Sequence, residues 1–482
     1  MMKCKNIKDI RNDLDNGLVT SLDLFKSSVD KALKYQSDYN CFVTILDNYE
    51  HIDNKDSLLN GVVYALKDNI STKGILTTAS SNILKDYVPV YDATIYRKLK
   101  ENGAVLMGKT VLDELAMGGT GTTAHTGIVR NPYDKRRMIG GSSAGSAACV
   151  ALGVVPFAIG SDTGDSIRKP AAYGGVVGFK PSYGRISRYG LFPFASSLDH
   201  LGVLTTNVMD AAIVVDAVKG YDSKDMTSLK DDKIVYLDNL ENDVRGRKLF
   251  YIKEILDINS DNEELCEIVN NFKEVISKCE SLGMEVFPVS MDINLLKAIY
   301  PAYITISCAE ATSNNANLTG IIFGSRSDKE NINEMMMDAR TNGFSELIKR
   351  RFILGSYILQ KENQEKLYLN ACRVRRMITS CMNEFFKEYD GLILPAESSV
   401  APLFDVDKDR LSDEYLILDN HLAIGNFGGY PSITIPSGFV NNMPIGINIT
   451  GKFGDDSLVL NIACKLEGTM DYKQMIVGDD DV

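Results

Sequence analysis

Two loops of small residues, Gly140-Gly-Ser-Ser-Ala-Gly-Ser146 and Gly160-Ser-Asp-Thr-Gly-Asp-Ser166, each place a serine where bare backbone can crowd a substrate. A lysine, Lys67, follows the apolar run Val62-Val-Tyr-Ala-Leu66. A serine hydroxyl attacks a carbonyl only when a base takes its proton, and histidine is the usual base. The chain holds only His51, His125, His200 and His421, none in a serine-bearing loop or a His-Glu-x-x-His metal spacing. Lysine can serve instead when uncharged, which requires burial or nearby positive charge to bring its pKa down from about 10.4. A lysine closing a buried strand meets that condition. Read together, Lys67, Ser142 and Ser166 form a serine hydrolase site without histidine, and a fold must gather them. Read singly they are plainer: a tight helix entry, a helix cap and a solvated lysine. No Gly-Lys-Ser/Thr closes the first loop, so it is not a phosphate-binding loop.

The segments Gly140-Gly-Ser-Ser-Ala-Gly-Ser-Ala-Ala148, Gly160-Ser-Asp-Thr-Gly-Asp-Ser-Ile-Arg-Lys-Pro170 and Gly174-Gly-Val-Val-Gly-Phe-Lys-Pro-Ser-Tyr-Gly184 resemble, in this order, the amidase signature family. Asp113-Glu-Leu-Ala-Met-Gly118 and Phe194-Ala-Ser-Ser-Leu-Asp199 are similar to one branch of it, the glutaminase subunits of tRNA-dependent amidotransferases. The likeness is dense over about 61–202 and patchier afterwards. It implies Ser166 as nucleophile, Ser142 as bridging serine with a cis peptide before it, and Lys67 as the base behind. It also implies an oxyanion hole made by the backbone N–H groups of Thr163, Gly164, Asp165 and Ser166. The family usually has glycine where this chain has Asp165 and Ala144, and commonly glutamine at Lys169. A carboxylate facing a developing oxyanion opposes the reaction, so Asp165 is expected to turn outward, with Lys169 as its partner.

Free glutamine carries an α-carboxylate and an α-ammonium, so a pocket for it needs a cation and an anion. The resemblance assigns these to Arg351 in Lys349-Arg-Arg-Phe-Ile-Leu-Gly355 and to Asp419, with Tyr303 helping to hold the substrate; Arg350 takes the place of Arg351 under a one-residue shift. Thr319-Gly-Ile-Ile-Phe-Gly324 departs from the more polar version typical of the family. The branch further implies two partners, a B subunit that binds ATP and Mg and most of the misacylated tRNA, and a small C subunit. No cofactor and no metal is assigned to this chain, which lacks an ATP-binding motif.

A chain of 482 residues, 44% of them hydrophobic, can bury an extensive core. Because the motifs run from Lys67 past Asp419, a single domain spanning 1–482 is expected, with a helix-rich lobe at about 295–387 over the pocket and an acidic tail at 478–482. Alternating strands and helices give an α/β class, and the resemblance implies a large mixed sheet with helices on both faces. Lys248-Leu-Phe-Tyr-Ile252 reads as a strand and Met284-Glu-Val-Phe287 as another. Between them lies a helix opened by Asp261, stopped by Gly283, with Leu265, Ile268, Val269, Phe272, Val275, Ile276 and Cys279 facing the core. Met138 to Ser161 and Asn420 to Gly451 lack formal charge but are too rich in small residues and prolines to span a membrane; the first reads as a buried helix followed by a strand. The opening Met-Met-Lys-Cys-Lys is not a secretory signal. Nine cysteines without a Cys-x-x-Cys pair suit reduced thiols in a cytoplasm. A net charge of −12 disfavours broad contact with nucleic acid, and the basic runs Lys135-Arg-Arg137 and Arg373-Val-Arg-Arg376 read as solvated faces or local ion pairs.

Overall fold

The structure, a computed structural model, describes residues 5–230, 233–256, 262–405 and 414–470. Its strands are β1 (Phe42–Ile45), β2 (Val63–Lys67), β3 (Val105–Thr110), β4 (Phe157–Asp162), β5 (Val177–Lys180), β6 (His200–Thr205), β7 (Lys248–Ile252), β8 (Glu285–Val289), β9 (Gly391–Pro395), β10 (Ser432–Val440) and β11 (Met443–Gly451). Among the described residues they form one eleven-stranded sheet in the order β1-β3-β2-β4-β6-β5-β10-β11-β9-β7-β8. It is mixed: β3, β2 and β4 run parallel, as do β9, β7 and β8, while the strands between pair antiparallel. This is the expected α/β architecture.

Side-chain alternation along β2 sorts the core. Tyr64 and Leu66 enter one cluster with Phe157 and Ile159 of β4 and with helix Val208–Val218. The rings of Tyr64 and Phe157 stack with centroids 5.2 Å apart. Val63 and Ala65 enter another with Ala147, Ala148 and Val150 of helix Ala144–Ala151. Lys67 shares the parity of Val63 and Ala65, so the strand delivers its amine to the side where that helix begins. The stretch 138–161 is therefore the buried helix and strand its sequence suggests.

The strand at Lys248–Ile252 is present, and helix Glu263–Ser281 buries Leu265, Ile268, Phe272, Val275 and Cys279, with Val269 and Ile276 partly buried. Its cap differs from expectation. Asp261 lies outside the described residues, and Asn262 accepts from the N–H groups of Glu264 and Leu265. Gly283, at φ +81°, ends the helix in a left-handed conformation that costs glycine little. The acidic tail also lies outside the described residues.

Helices Ile299–Asn314, Ile332–Gly343, Glu346–Ile358 and Asn370–Glu388 make up the helix-rich segment. The first and third approach closely at Gly355, where a Cβ would lie 2.1 Å from the Cys308 carbonyl oxygen. One turn before that contact stands Arg351. The basic run at 135–137 forms local ion pairs, Lys135 with Asp38 and Arg136 and Arg137 with Asp134. Arg373 meets Glu365, and Arg375 bonds to Ser197 and to the Phe427 carbonyl. No helix among the described residues is long and apolar enough to cross a membrane.

Candidate active site

Lys67 is fully buried, and its Nζ lies in a cage of hydroxyls. It donates to Ser142 Oγ at 2.8 Å, Ser143 Oγ at 2.9 Å, Ser161 Oγ at 2.9 Å and the Ser161 carbonyl at 3.2 Å. Burial pushes its pKa down from 10.5 to about 7, against the opposing pull of Asp113, Asp162, Asp199 and Asp165. Desolvation wins because no carboxylate touches the amine. A substantial neutral fraction is available near pH 7, the state in which this nitrogen can accept a proton.

The peptide bond Gly141–Ser142 is cis, as the family resemblance implies. Asp113 packs against it. The Asp113 carboxylate accepts from the N–H groups of Thr120, Gly121, Thr122 and Thr123 and from the Thr123 hydroxyl, while its own N–H donates to the Ser142 carbonyl. A Cβ on Gly141 would lie 2.0 Å from Asp113 Oδ2, so only glycine fits there.

The second serine loop leaves β4 and is locked from below. Asp162 forms a fully buried ion pair with Arg168, Nη2 to Oδ1 at 3.0 Å, and accepts from the Ile167 N–H at 2.9 Å. Burial alone would raise the Asp162 carboxyl, but the guanidinium outweighs it and holds the group well below the usual carboxylate range. Arg168 also donates to the carbonyls of Gly164 and Leu422 and to Asn426 Oδ1. From the other side the Thr163 hydroxyl donates to Asp199 at 2.7 Å, and burial lifts the Asp199 carboxyl to about 6. Between these anchors, the backbone N–H groups of Thr163, Gly164, Asp165 and Ser166 make no hydrogen bond to any described residue. The loops are joined by the Ser143 N–H donating to the Ser166 carbonyl at 3.1 Å. No hydrogen bond links the Ser142 and Ser166 side chains.

A cavity of about 420 Å³ opens beside this loop, lined by Asp165, Lys169, Tyr303, Arg351, Glu397 and Asp419 among others. Arg351 presents its guanidinium with Nε and Nη1 buried and without a hydrogen-bond partner, 5.7 Å over the Phe194 ring. Arg350 is exposed, so the register favours Arg351. Asp419 is buried and accepts from the Ser398 hydroxyl. The expected Asp165–Lys169 pair is present at 2.7 Å. The carboxylate lines the cavity, and Lys169, one helical turn on, draws it along the cavity wall.

Ser143, Ser161, Asp113, Arg168 and Glu397 join the site although only their motifs, or nothing, marked them in the sequence. His200 and His421 are buried and held neutral by burial, His421 near 4. His200 Nδ1 faces the Leu198 carbonyl, and the His421 ring lies between the carbonyls of Leu418 and Pro395, to one of which its single N–H can donate. Neither bonds to a candidate serine. Among the described residues no cluster of His, Cys, Asp or Glu could hold a metal.

The family model Amidase matches residues 23–460. The A subunit of glutamyl-tRNA(Gln) amidotransferase from Sulfolobus acidocaldarius is 37% identical, covering 97% of this chain and 98% of its own. Its namesake from Thermoanaerobacter pseudethanolicus is 38% identical, covering 96% of this chain and 95% of its own. Among solved structures, the same A subunit from Thermotoga maritima superposes with a TM-score of 0.79 at 34% identity, over 94% of this chain and 95% of that one. A peptide amidase from Stenotrophomonas maltophilia shares the fold, with a TM-score of 0.82 at 23% identity over 97% of each chain.

Proposed function

Given that this chain belongs to the amidase family, we propose that it is the glutaminase subunit of a tRNA-dependent amidotransferase, hydrolysing glutamine and passing ammonia to a partner. The observation that carries this reading is the buried Lys67 amine hydrogen-bonded to Ser142, beside a cavity that holds the cation Arg351 and the anion Asp419. Arg351 takes the α-carboxylate of glutamine, Asp419 its α-ammonium, and Tyr303 packs on the chain between them.

Neutral Lys67 accepts the proton of Ser142, which in turn accepts that of Ser166 once a hydroxyl rotates toward it; such bonds commonly tighten only when substrate is bound. Ser166 Oγ then adds to the side-chain carbonyl carbon. The resulting oxyanion is met by the free N–H groups of Thr163 to Ser166, which cost no reorganisation because Asp162, Arg168 and Asp199 already fix the loop. Collapse breaks the C–N bond, and the proton returns through Ser142 so that ammonia leaves. Water, activated by the same path, cleaves the acyl-enzyme to glutamate.

ATP and Mg belong, in this reading, to a B subunit that activates the misacylated tRNA, with a C subunit completing a cytoplasmic complex. The names of the relatives favour glutamyl-tRNA(Gln) over aspartyl-tRNA(Asn) as acceptor. The test is reconstitution with the B and C subunits, ATP, Mg, Glu-tRNA(Gln) and amide-labelled glutamine. Label is expected in Gln-tRNA(Gln), and Ser166→Ala abolishes it. Rapid hydrolysis of varied amides by the isolated chain, with no gain from partners, would identify a free-standing amidase instead, and label transfer unaffected by Ser166→Ala an inactive scaffold.

A further inference from the structure

Three carboxylates crowd one wall of the cavity: Asp165 beside the nucleophile, Glu397 just beyond β9, and Asp419. Arg351 alone does not balance them. Lys169, in the first turn of helix Arg168–Gly174, reaches this whole wall. Its Nζ lies 2.7 Å from Asp165 Oδ2 and 3.8 Å from Glu397 Oε2, and donates to the Asp419 carbonyl at 3.3 Å. Glu397 is steadied in turn by the Tyr173 hydroxyl at 3.3 Å. Burial would strip the Lys169 proton, yet the surrounding carboxylates outweigh it and hold the amine charged.

The position of Asp165 gives this contact its consequence. In the proposed mechanism its backbone N–H is one of the four that meet the oxyanion, so its side chain is the nearest acidic group in sequence to the charge that develops in the reaction. A negative charge appearing next to a fixed negative charge is disfavoured, most strongly where water is scarce. We propose that Lys169 is a positioning residue for the reaction, cancelling the Asp165 carboxylate and drawing it along the helix so that an acidic residue beside the nucleophile is tolerated. This deepens the glutaminase reading and rests on it.

The opposing field acts on the transition state, because the oxyanion does not exist in the bound substrate. Lys169→Gln in the assembled complex is therefore expected to lower glutaminase kcat at least about tenfold, with the loss falling on kcat more than on KM. Lys169→Arg, which keeps the charge, retains kcat within about threefold. When Asp165→Asn is already present, Lys169→Gln costs no more than about twofold, because no carboxylate remains to cancel. Thermal unfolding of each variant separates lost packing from lost rate. An equal cost of Lys169→Gln in both backgrounds, or a fall in melting temperature with kcat of the folded enzyme unchanged, overturns the proposal. If the unsubstituted complex releases no ammonia from glutamine, the functional reading fails and takes this inference with it; activity there with an equal cost in both backgrounds sinks this inference alone.

Discussion

Gly141→Ala isolates the geometry on which the proton path depends. The added Cβ would stand 2.0 Å from Asp113 Oδ2, 3.0 Å from the Gly121 nitrogen and 3.1 Å from Asp113 Cγ. Non-bonded contact is comfortable near roughly 3.5 Å, so the shortfall at the first atom exceeds about 1 Å. Asp113 cannot yield cheaply, because its carboxylate is held by the N–H groups of residues 120 to 123 and by the Thr123 hydroxyl. The Gly141–Ser142 segment has to move instead. A shift of about 1 Å stretches the Lys67–Ser142 contact from 2.8 Å beyond hydrogen-bond range. Misplacing a reacting group by about 1 Å costs on the order of 100-fold in rate, and overpacking adds about 1–3 kcal/mol of destabilisation. The assay is steady-state ammonia release by the purified complex, with thermal unfolding in parallel. Gly174→Ala is the control, since a Cβ there meets nothing closer than 3.5 Å. A Gly141→Ala enzyme that keeps kcat within about twofold of the parent would show that the proton path does not depend on this backbone geometry.

Other expectations follow from the same contacts. Burial sets Lys67 at about 7, and only the unprotonated amine can act as base, so kcat/KM should fall about tenfold per pH unit below that value; a profile flat down to roughly pH 5 would contradict it. Arg351→Gln removes the charge-assisted contact to the α-carboxylate, worth about 1.5–3 kcal/mol, and should raise KM for glutamine about 10- to 100-fold, with Arg351→Lys intermediate. An unchanged KM would move the carboxylate site elsewhere. Arg168→Met strands the buried Asp162 charge and should cost about 3–5 kcal/mol in chemical denaturation. Because the folded-state pKa of Asp162 is depressed, that pair stabilises the protein above about pH 4 and loses its contribution as pH falls through the folded value.

The side chains proposed to touch substrate were largely legible in the sequence. Lys67 could be read as buried because Val62 to Leu66 is uninterrupted apolar sequence, and Ser142 and Ser166 stood out because small neighbours leave them open to a ligand. The Asp165–Lys169 pair was readable because it is local, one turn apart at the start of a helix. Contacts that close over long separations were not. Nothing along the chain says that Asp162 and Arg168 meet Asn426, that Glu397 comes to Lys169, or that Asp113 lies under Gly141. Ser143 and Ser161 were overlooked for another reason: each neighbours a serine or loop already given a role, and only the strand register shows that the Lys67 amine reaches all three hydroxyls. Helical spacing predicted the buried face of helix Glu263–Ser281, while the order of the sheet depends on pairings that no local pattern encodes.

The proposed mechanism depends on the charge of one nitrogen. Selective isotope labelling of lysine, with the Lys67 signal assigned by its loss in Lys67→Met, allows that amine to be titrated by nuclear magnetic resonance in the folded chain. An inflection near pH 7 is expected. An ammonium that keeps its proton past roughly pH 9 would contradict the mechanism, because a lysine charged throughout the working range cannot take the proton of Ser142.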